Sequence, residues 1–418
     1  MMSMTCTLIA GAAEIPITPP LEVGILMSSV QRRWEPFERV SLPLMARALT
    51  VACHRRRVAL VSLDLLGVSL RAFGRDLCRR IAAASRGAVA AGDVILAATH
   101  THSAPESLAL TNLYRTAPFR RWSRELVGRI GTAIHQACRR SVPCTLWAGS
   151  TRAPGLAIHR RIRTTRGIVL SHPPPPRRIV ISRKGPVDDR VTIMALRRSG
   201  GELMALLVNA ACHPVHEMCL RTISPDYPGY MSLELQRRHP GSAVLFFNGA
   251  AGNINPPTVS GGAAAARRHG LRLAQQVDAA LARLRPVQVT SIELKRRTVN
   301  LPARSVSGRP RARPLGCALA ALRLGSAAMV FVAGEPFVES GLAIRGASPF
   351  STTAVVGYAM DYIGYIPTDQ AFDEGGYETG PGLWSIAARG SAPIVANGAI
   401  ELLRESVRTG EVPAGDTR

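Results

Sequence analysis

The hydrophobic positions fall into short apolar runs that alternate with longer stretches of helical spacing. Apolar runs bounded by turn residues predict buried strands over residues 58–65, 94–98, 191–196, 204–211, 243–247, 328–333 and 354–359. Apolar residues at helical spacing predict helices over residues 74–85, 122–139, 228–238 and 263–284. Ser260 precedes the last of these helices as a candidate N-cap. This alternation predicts an α/β fold of layered mixed β-sheets flanked by helices.

Two proline- and arginine-rich segments interrupt the pattern. "SHPPPPRR" (residues 171–178) predicts an extended, exposed connection, because proline cannot donate to a strand ladder. "ARSVSGRPRARP" (residues 303–314) predicts a second exposed, basic loop. Neither flank has the character of an autonomous domain, so we predict one large domain over residues 1–413. Residues 414–418 are predicted to form a disordered tail.

The charge balance is strongly basic, with 52 Lys and Arg against 28 Asp and Glu, a formal net charge of +24. The basic residues are nearly all arginines scattered along the chain, so nucleic-acid binding is the weaker interpretation. Weak attraction to anionic membranes is a simpler consequence of this charge. The N-terminus has no basic region before a long apolar stretch, which predicts a cytoplasmic protein without a secretory signal. The eight cysteines form no C-x-x-C pair, so reduced thiols are expected.

Polar residues follow four of the apolar runs, in "ILAATHTHSAP", "LLVNAACHPVHE", "VLFFNGAAGNINPP" and "MVFVAGEPFVE". Sites in open α/β sheets are built where strands end. These four segments are therefore the candidate site.

Two of these segments supply histidines. His100 and His102 share a face if the strand continues, so they could share a metal, or one could bind the metal and the other face the substrate. The alternative is a pair of hydrogen-bonded loop histidines. His213 is a better candidate ligand than His216, because Pro214 disfavours a helical H-x-x-H pair.

The other two segments supply a carboxylate and an amide-rich loop. Glu335 follows an apolar strand, where a carboxylate costs free energy unless it is paired or bound to a cation. The alternative is a residue in the first turn of a helix, which Pro336 would suit. The loop "NGAAGNINPP" (residues 248–257) can bring backbone N–H groups to a ligand, and its asparagine amides can hold an oxyanion. The alternative is an ordinary turn. A G-x-S-x-G elbow is absent, which disfavours a common type of serine hydrolase.

A series of motifs runs along most of the chain: "AAEIPITPP", "VSLDLLGVS", "THTHSAP", "NAACHPV", "GNINP", "AGEPF" and "GYIPTDQAFDEGGYE". In this order they resemble the catalytic domain of the neutral/alkaline (non-lysosomal) ceramidases. Those enzymes are zinc-dependent amidases that split ceramide into sphingosine and a fatty acid. The resemblance implies a single large ceramidase-like catalytic domain, a lipid-like or small-molecule amide substrate, and a role in sphingolipid metabolism.

The resemblance also implies roles for individual residues. It implies that Zn2+ is bound by His100, His213, Glu335 and Tyr365, and that the metal activates a water as the nucleophile. It places His102 towards the substrate as a proton carrier or oxyanion stabiliser. Further residues fall where the family contacts the polar head of the substrate: Arg160 and Tyr377.

The chain departs from the family pattern in two ways. The family's serine loop is replaced by "GNINP", with Asn255 at the serine position and Asn253 at the aspartate. We therefore interpret Asn253 and Asn255 as catalytic amides that orient the carbonyl. We also expect no counterpart of the C-terminal immunoglobulin-like domain of the ceramidases. The prediction is a zinc-dependent hydrolase of an amide, or of an ester. The alternative is a metal-binding homologue on the same fold without turnover, and both ceramide and other amides stay open as substrates.

Overall fold

The structure is a computed structural model that describes residues 7–183, 185–305, 314–380 and 382–408. Most of the predicted basic loop at 303–314 and the predicted tail at 414–418 lie outside these residues. The described strands are β1 (Ile9–Pro16), β2 (Ile25–Ser28), β3 (Arg33–Glu35), β4 (Arg39–Val40), β5 (Met45–Cys53), β6 (Arg56–Leu63), β7 (Val94–Ala98), β8 (Val142–Arg152), β9 (Ile158–His159), β10 (Arg161–Thr164), β11 (Gly167–Leu170), β12 (Val180–Ser182), β13 (Arg190–Arg198), β14 (Leu203–Ala210), β15 (Thr222–Ile223), β16 (Ala243–Asn248), β17 (Ile254–Asn255), β18 (Arg285–Val287), β19 (Ile292–Leu301), β20 (Leu315–Leu324), β21 (Ala327–Val332), β22 (Glu335–Pro336), β23 (Thr352–Val356) and β24 (Tyr365–Ile366). The described helices are α1 (Leu70–Phe73), α2 (Leu77–Ala84), α3 (Ala117–Arg139), α4 (Asp226–Arg238), α5 (Gly262–Ala280), α6 (Val338–Gly346), α7 (Asp369–Glu374) and α8 (Ser391–Arg408).

Two sheets carry the architecture. The larger has the order β16-β14-β13-β8-β1-β5-β6-β7, with β18 also pairing with β8. Its pairs are antiparallel except β14 with β16 and β6 with β7. The smaller sheet has the order β19-β20-β21-β23, and its one parallel pair joins β21 to β23.

The two sheets pack face to face and are covered by helices on their outer faces. Apolar side chains of both sheets meet in one core, where Leu60 and Phe247 of the large sheet lie with Leu322 and Phe331 of the small sheet. Helices α2, α3, α4 and α5 cover the outer face of the large sheet. Helices α6 and α8 cover the outer face of the small sheet. The predicted α/β fold with layered mixed sheets is confirmed.

The predicted elements lie within a few residues of the observed ones, with local corrections. The predicted strand at 94–98 is β7, and the predicted helix at 263–284 ends its α-helical part at Ala280. Ser260 does not cap α5: the N-cap position is Gly261, and the Ser260 hydroxyl donates to the carbonyl oxygen of Met218 at 3.0 Å. The proline segment at 171–178 is largely exposed, as predicted, and ends in a 3-10 turn at Arg177–Ile179.

The cysteines differ in part from the expectation of reduced thiols. Cys53 is disulfide-bonded. Six other cysteines in the described residues are free thiols, of which Cys144, Cys212 and Cys317 are buried. Across the described ranges, every helix is too short or too polar to cross a bilayer.

Candidate metal centre

The candidate ligands lie where strands of both sheets end. His100 follows β7 and His213 follows β14 in the large sheet, whereas Glu335 follows β21 in the small sheet. All three side chains are buried. The site therefore lies at the seam between the two sheets.

The chain that leaves β23 joins the two sheets beside His100. The Ala98 N–H donates to the Tyr358 carbonyl at 3.0 Å, and the Met360 N–H donates to the Leu96 carbonyl at 2.8 Å. His100 and Tyr358 both have left-handed backbones, with φ of 69° and 57°. Their rings stack with centroids 4.0 Å apart. Left-handed backbone is uncommon for residues with side chains and marks sites that the surrounding structure enforces.

The ligand atoms converge on one carboxylate oxygen. Nε2 of His100 and Nε2 of His213 each lie 3.3 Å from Oε2 of Glu335. Nε2 of His102 lies 3.3 Å from Nε2 of His100. One ligand atom from each of the three histidines falls within 4.8 Å of the others.

The other ring nitrogens fix the tautomers of His100 and His213. Nδ1 of His100 lies 2.6 Å from the Leu66 carbonyl oxygen, and Nδ1 of His213 lies 3.0 Å from the Ile254 carbonyl oxygen. A carbonyl oxygen only accepts, so each Nδ1 carries a proton, and each ring turns its Nε2, the atom that can bind a metal when unprotonated, towards Glu335.

This arrangement fits a bound cation. Glu335 Oε2 is buried and has no hydrogen-bond donor within the described part of the chain. A buried carboxylate oxygen facing two nitrogen lone pairs is unfavourable unless a positive charge lies between them. The other oxygen, Oε1, accepts a hydrogen bond from the Tyr362 hydroxyl at 2.8 Å, which fixes the carboxylate orientation.

Burial lowers the pKa of two of the site histidines, His102 and His213. Burial, together with the positive charge of Arg160, lowers the pKa of His213 to about 4. Burial and the neighbouring imidazoles lower the pKa of His102 well below its ordinary value. Neutral imidazole is the form that binds metals and accepts protons.

A cavity of about 210 Å³ opens onto this centre. Apolar side chains form much of its wall, from Leu26, Met27, Leu170, Val215, Met218 and Val259. Polar side chains line the rest and include His102, Arg160, His213, Asn255, Tyr365 and Tyr377. The cavity thus combines an apolar wall with a polar floor at the candidate ligands.

Arg160 is the charged group of this floor. Its Nε donates to Glu378 at 2.8 Å, and its Nη1 lies 3.3 Å from Nε2 of His213 and 3.4 Å from Oδ1 of Asn255. Its Nη2 is buried and has no partner in the described ranges. The contact with His213 uses the lone pair that a metal would use, so the two are alternatives. The unpartnered Nη2 is a free donor on a residue that lines the cavity.

Two predicted tyrosines also lie at the cavity. The backbone of Tyr365 pairs with Glu335 in a parallel bridge, and its ring lies 5.2 Å from the guanidinium carbon of Arg160. Burial raises the pKa of Tyr365 well above its ordinary value. The Tyr377 hydroxyl is 2.6 Å from Oγ of Ser29, and burial raises the pKa of Tyr377 to about 12. The ligand role of Tyr365 stays a prediction.

The two loop asparagines face different ways. Asn255 lines the cavity, where its Nδ2 donates to Oγ of Ser171 at 3.3 Å. Asn253 does not face the metal centre, which corrects its predicted position as a catalytic amide. Its Oδ1 accepts from the Val338 N–H at 2.9 Å and its Nδ2 donates to Oε2 of Glu339 at 2.8 Å. Asn253 therefore joins the loop to the start of α6.

Several neighbours of the site were not predicted from the sequence. Glu335 is not a helical residue, because α6 begins at Val338. His216 turns away from the site to His269, at 3.0 Å between ring nitrogens. The residues that support the site without having been predicted are Tyr358, Tyr362 and Glu378. The position of Glu378 directly after Tyr377 was the only sequence feature that pointed to one of them.

No protein-family model matches the chain. A curated relative, the neutral ceramidase of Pseudomonas aeruginosa, is 27% identical over 223 residues, which are 50% of this chain and 31% of the relative. The match thus spans about a third of the length of that relative.

Solved structures agree with the chain over nearly its full length. The crystal structure of neutral ceramidase from Pseudomonas aeruginosa has a TM-score of 0.78 at 19% identity, covering 99% of this chain and 76% of that one. A structure of a ceramidase complexed with C2 has a TM-score of 0.75 at 18% identity, covering 98% and 77%. The fold is that of these enzymes, and the resemblance predicted from the motifs is confirmed.

Proposed function

We propose that this chain, which has the neutral ceramidase fold and resembles that family in sequence, is a metal-dependent hydrolase of an amide bond, with an ester as the related alternative. The observation that carries the proposal is Oε2 of Glu335, which is buried without a hydrogen-bond donor among the described residues and lies 3.3 Å from both Nε2 of His100 and Nε2 of His213. The relative and the solved structures are ceramidases by name, and this supports a lipid-like amide as the substrate.

Zinc is the ion we propose for this site. His100, His213 and Glu335 would hold it, with Tyr365 or His102 as the further ligand, and a set of imidazole nitrogens and carboxylate oxygen suits zinc. Zinc bound there supplies Lewis acidity towards a carbonyl and lowers the pKa of water to about 7.

The chain's own side chains supply the remaining functions. His102 is neutral and half-buried at the cavity, so its ring can accept a proton from the nucleophilic water and return it to the leaving amine. The free Nη2 of Arg160 and the amide of Asn255 can hold the substrate carbonyl oxygen. Losing one such donor costs about 3 kcal/mol in the transition state.

The apolar wall of the cavity gives the acyl side of the substrate a place to lie. The volume of about 210 Å³ accommodates the amide group and the first part of a chain, and the remainder would extend through the open mouth. We therefore propose that selectivity lies at the amide and its immediate substituents. Tyr377, whose hydroxyl is 2.6 Å from that of Ser29, would contact the polar head.

A second candidate is a binding protein that holds the metal without turnover. The specific observation in its favour is Asn255, which stands at the family's serine position. Its Oδ1 accepts from Arg160 and its Nδ2 donates to Ser171. A hydrolysis panel separates the two candidates. Metal-loaded protein that cleaves no N-acyl amide or ester, ceramide included, would establish binding without turnover.

The first prediction concerns the metal. Purified protein should contain close to one equivalent of zinc by elemental analysis. His100→Ala should lose most of this zinc and most of the hydrolytic activity, because the substitution removes one of the two proposed imidazole ligands. His135→Ala, on α3 away from the site, is the matched control and should keep both. Stoichiometric zinc in His100→Ala would refute the ligand assignment.

A further inference from the structure

Two exposed segments flank the mouth of the cavity. The hairpin between β2 and β3 begins at Ser28 and Ser29, which line the cavity, and its tip is exposed. The proline segment follows Leu170 of β11, and both Leu170 and His172 line the cavity. We define residues 29–33 and 172–178 together as the mouth face.

Both segments are attached to the floor of the site. The Ser29 hydroxyl is 2.6 Å from the Tyr377 hydroxyl. The Ser171 hydroxyl accepts from Nδ2 of Asn255 at 3.3 Å. The mouth face is therefore held in a fixed relation to the cavity, and whatever binds it lies directly over the entrance.

The mouth face exposes apolar side chains, which cannot form hydrogen bonds with water. Val30 is 65% exposed at the hairpin tip, where a buried position would be usual for its side chain. In the proline segment Pro173, Pro174 and Pro176 are exposed. Proline rings are apolar and lack an N–H, so this segment can enter an apolar environment while leaving few donors unsatisfied.

The same two segments carry the positive charge. Arg32 and Arg33 lie in the hairpin, and Arg177 and Arg178 follow the prolines, all exposed. Arg33 pairs with Glu35, whereas the other three arginines make no ion pair with any described residue. One of the four arginines is thus in an ion pair, with a Glu35 that also pairs with Arg221 at 3.4 Å, and Nε of Arg32 donates to the Leu110 carbonyl oxygen at 3.3 Å.

We infer that the mouth face docks on a bilayer that contains anionic phospholipid. Val30 and the prolines would enter the headgroup boundary, and the arginines would pair with lipid phosphates. A docked enzyme would meet a lipid amide at the opening of its cavity without extracting it into water. The inference deepens the proposed function, but bilayer binding itself needs neither the metal nor turnover.

The test measures binding of metal-depleted protein to phosphatidylcholine vesicles with and without phosphatidylserine, by sedimentation without substrate. We expect clear binding only when phosphatidylserine is present. The double variant Arg177→Glu and Arg178→Glu should lower the partition coefficient about tenfold or more, since each basic group near the surface contributes about fivefold. Val30→Asp should lower it several-fold.

The matched control is the double variant Arg139→Glu and Arg140→Glu. These exposed residues end α3, beside Gly11 near the start of β1. The site lies where β6 and β7 end, which is at the opposite end of the strands of this sheet. This variant has the same net charge as the mouth variant and should keep most of the binding.

Equal loss in the two double variants would overturn the inference and assign vesicle binding to net charge alone. Equal binding to both vesicle types would overturn it as well. A water-soluble short-chain amide should be hydrolysed by the mouth variants as by wild type, so failure of docking is distinguishable from failure of the proposed activity.

Discussion

At the scale of single residues, a buried carboxylate holds two neighbouring arginines beside the site. Glu378 accepts from Nε of Arg160 at 2.8 Å and from Nη1 of Arg161 at 2.7 Å. Arg161 is also paired with Glu374 at 3.3 Å, so Glu378 provides the main neutralisation of Arg160. Without that neutralisation a guanidinium would lie next to a bound divalent cation. We therefore expect Glu378 to act on a metal bound at this site through Arg160, as a positioning residue.

Glu378→Gln should weaken metal binding at least tenfold and lower the free energy of unfolding by about 3 kcal/mol, because a buried arginine loses its counter-charge. Competition with a chromophoric chelator measures the metal affinity. Glu378→Asp should restore part of it by returning the charge.

The control for this prediction is Glu374→Gln, which removes a half-buried partner of Arg161 and leaves Arg160 untouched. It should leave metal affinity within about twofold. Wild-type metal affinity in Glu378→Gln would show that Glu378 supports the fold alone.

The sequence predicted the positions of those site residues that are set by the adjoining stretch of chain. His100, His213 and Glu335 each follow an apolar run directly, so their place at a strand end was readable. Asn253 was assigned wrongly because the direction of a loop side chain depends on the path of the loop. Glu378 was missed because its partners are more than two hundred residues away in the chain.

At the scale of elements, the loop after β16 lies against the strand that carries Glu335. The Gly252 N–H donates to the Pro336 carbonyl at 3.0 Å. A Cβ atom at Gly252 would lie 2.7 Å from the Glu335 carbonyl oxygen. Only glycine permits this close approach, which sets the distance between this loop and the segment that carries Glu335.

Gly252→Ala should displace Glu335, lower the free energy of unfolding by about 1 to 3 kcal/mol and weaken metal binding. Chemical denaturation and metal titration measure the two effects. Gly128→Ala is the matched control: a Cβ at this helical glycine meets no neighbour within 4 Å, and the change should stabilise α3 by up to about 1 kcal/mol. If Gly252→Ala bound metal as wild type does, the close approach would have no role in the site.

Elements with continuous apolar runs were readable from the sequence, and others were not. β7 and β16 are short, wholly buried strands, and their pattern shows this directly. β20 consists largely of alanine and leucine, which favour helices in isolation, so its pairing with β19 and β21 makes it a strand. β8 alternates between buried and exposed positions and contains no apolar run to mark it.

At the scale of the whole molecule, buried titratable groups act on stability in opposite directions. Burial, together with Arg268, lowers the pKa of His216 to about 4, and burial raises the pKa of Asp226 to about 7. A histidine with a lowered pKa binds fewer protons in the folded state, so it reduces stability as pH falls from about 6.5 towards 4. A carboxyl with a raised pKa binds more protons when folded, so it adds stability as pH falls from about 7.

We therefore predict opposite pH effects for two variants, measured by urea denaturation of metal-free protein at pH 7 and pH 5. His216→Gln should lose about 1 to 2 kcal/mol less than wild type on acidification. Asp226→Asn should lose more than wild type over the same interval. Parallel shifts in both variants would mean that other groups govern the acid stability.

The layered α/β class was readable from the alternation of elements, but the packing of two sheets on each other was not. That packing depends on which strands are apolar on both of their faces. It also depends on pairings between distant segments, such as β1 with β8. The net charge of +24 was also readable, whereas its distribution around the cavity mouth required the structure.

The position of the ligands at the seam has a mechanical consequence. His100 and His213 follow strands of one sheet and Glu335 follows a strand of the other, so a cation held by all three would act as a non-covalent cross-link between the two sheets. Metal binding and the free energy of unfolding of the whole molecule would then be thermodynamically linked. A chelator would then lower the stability of the fold as well as abolish the activity.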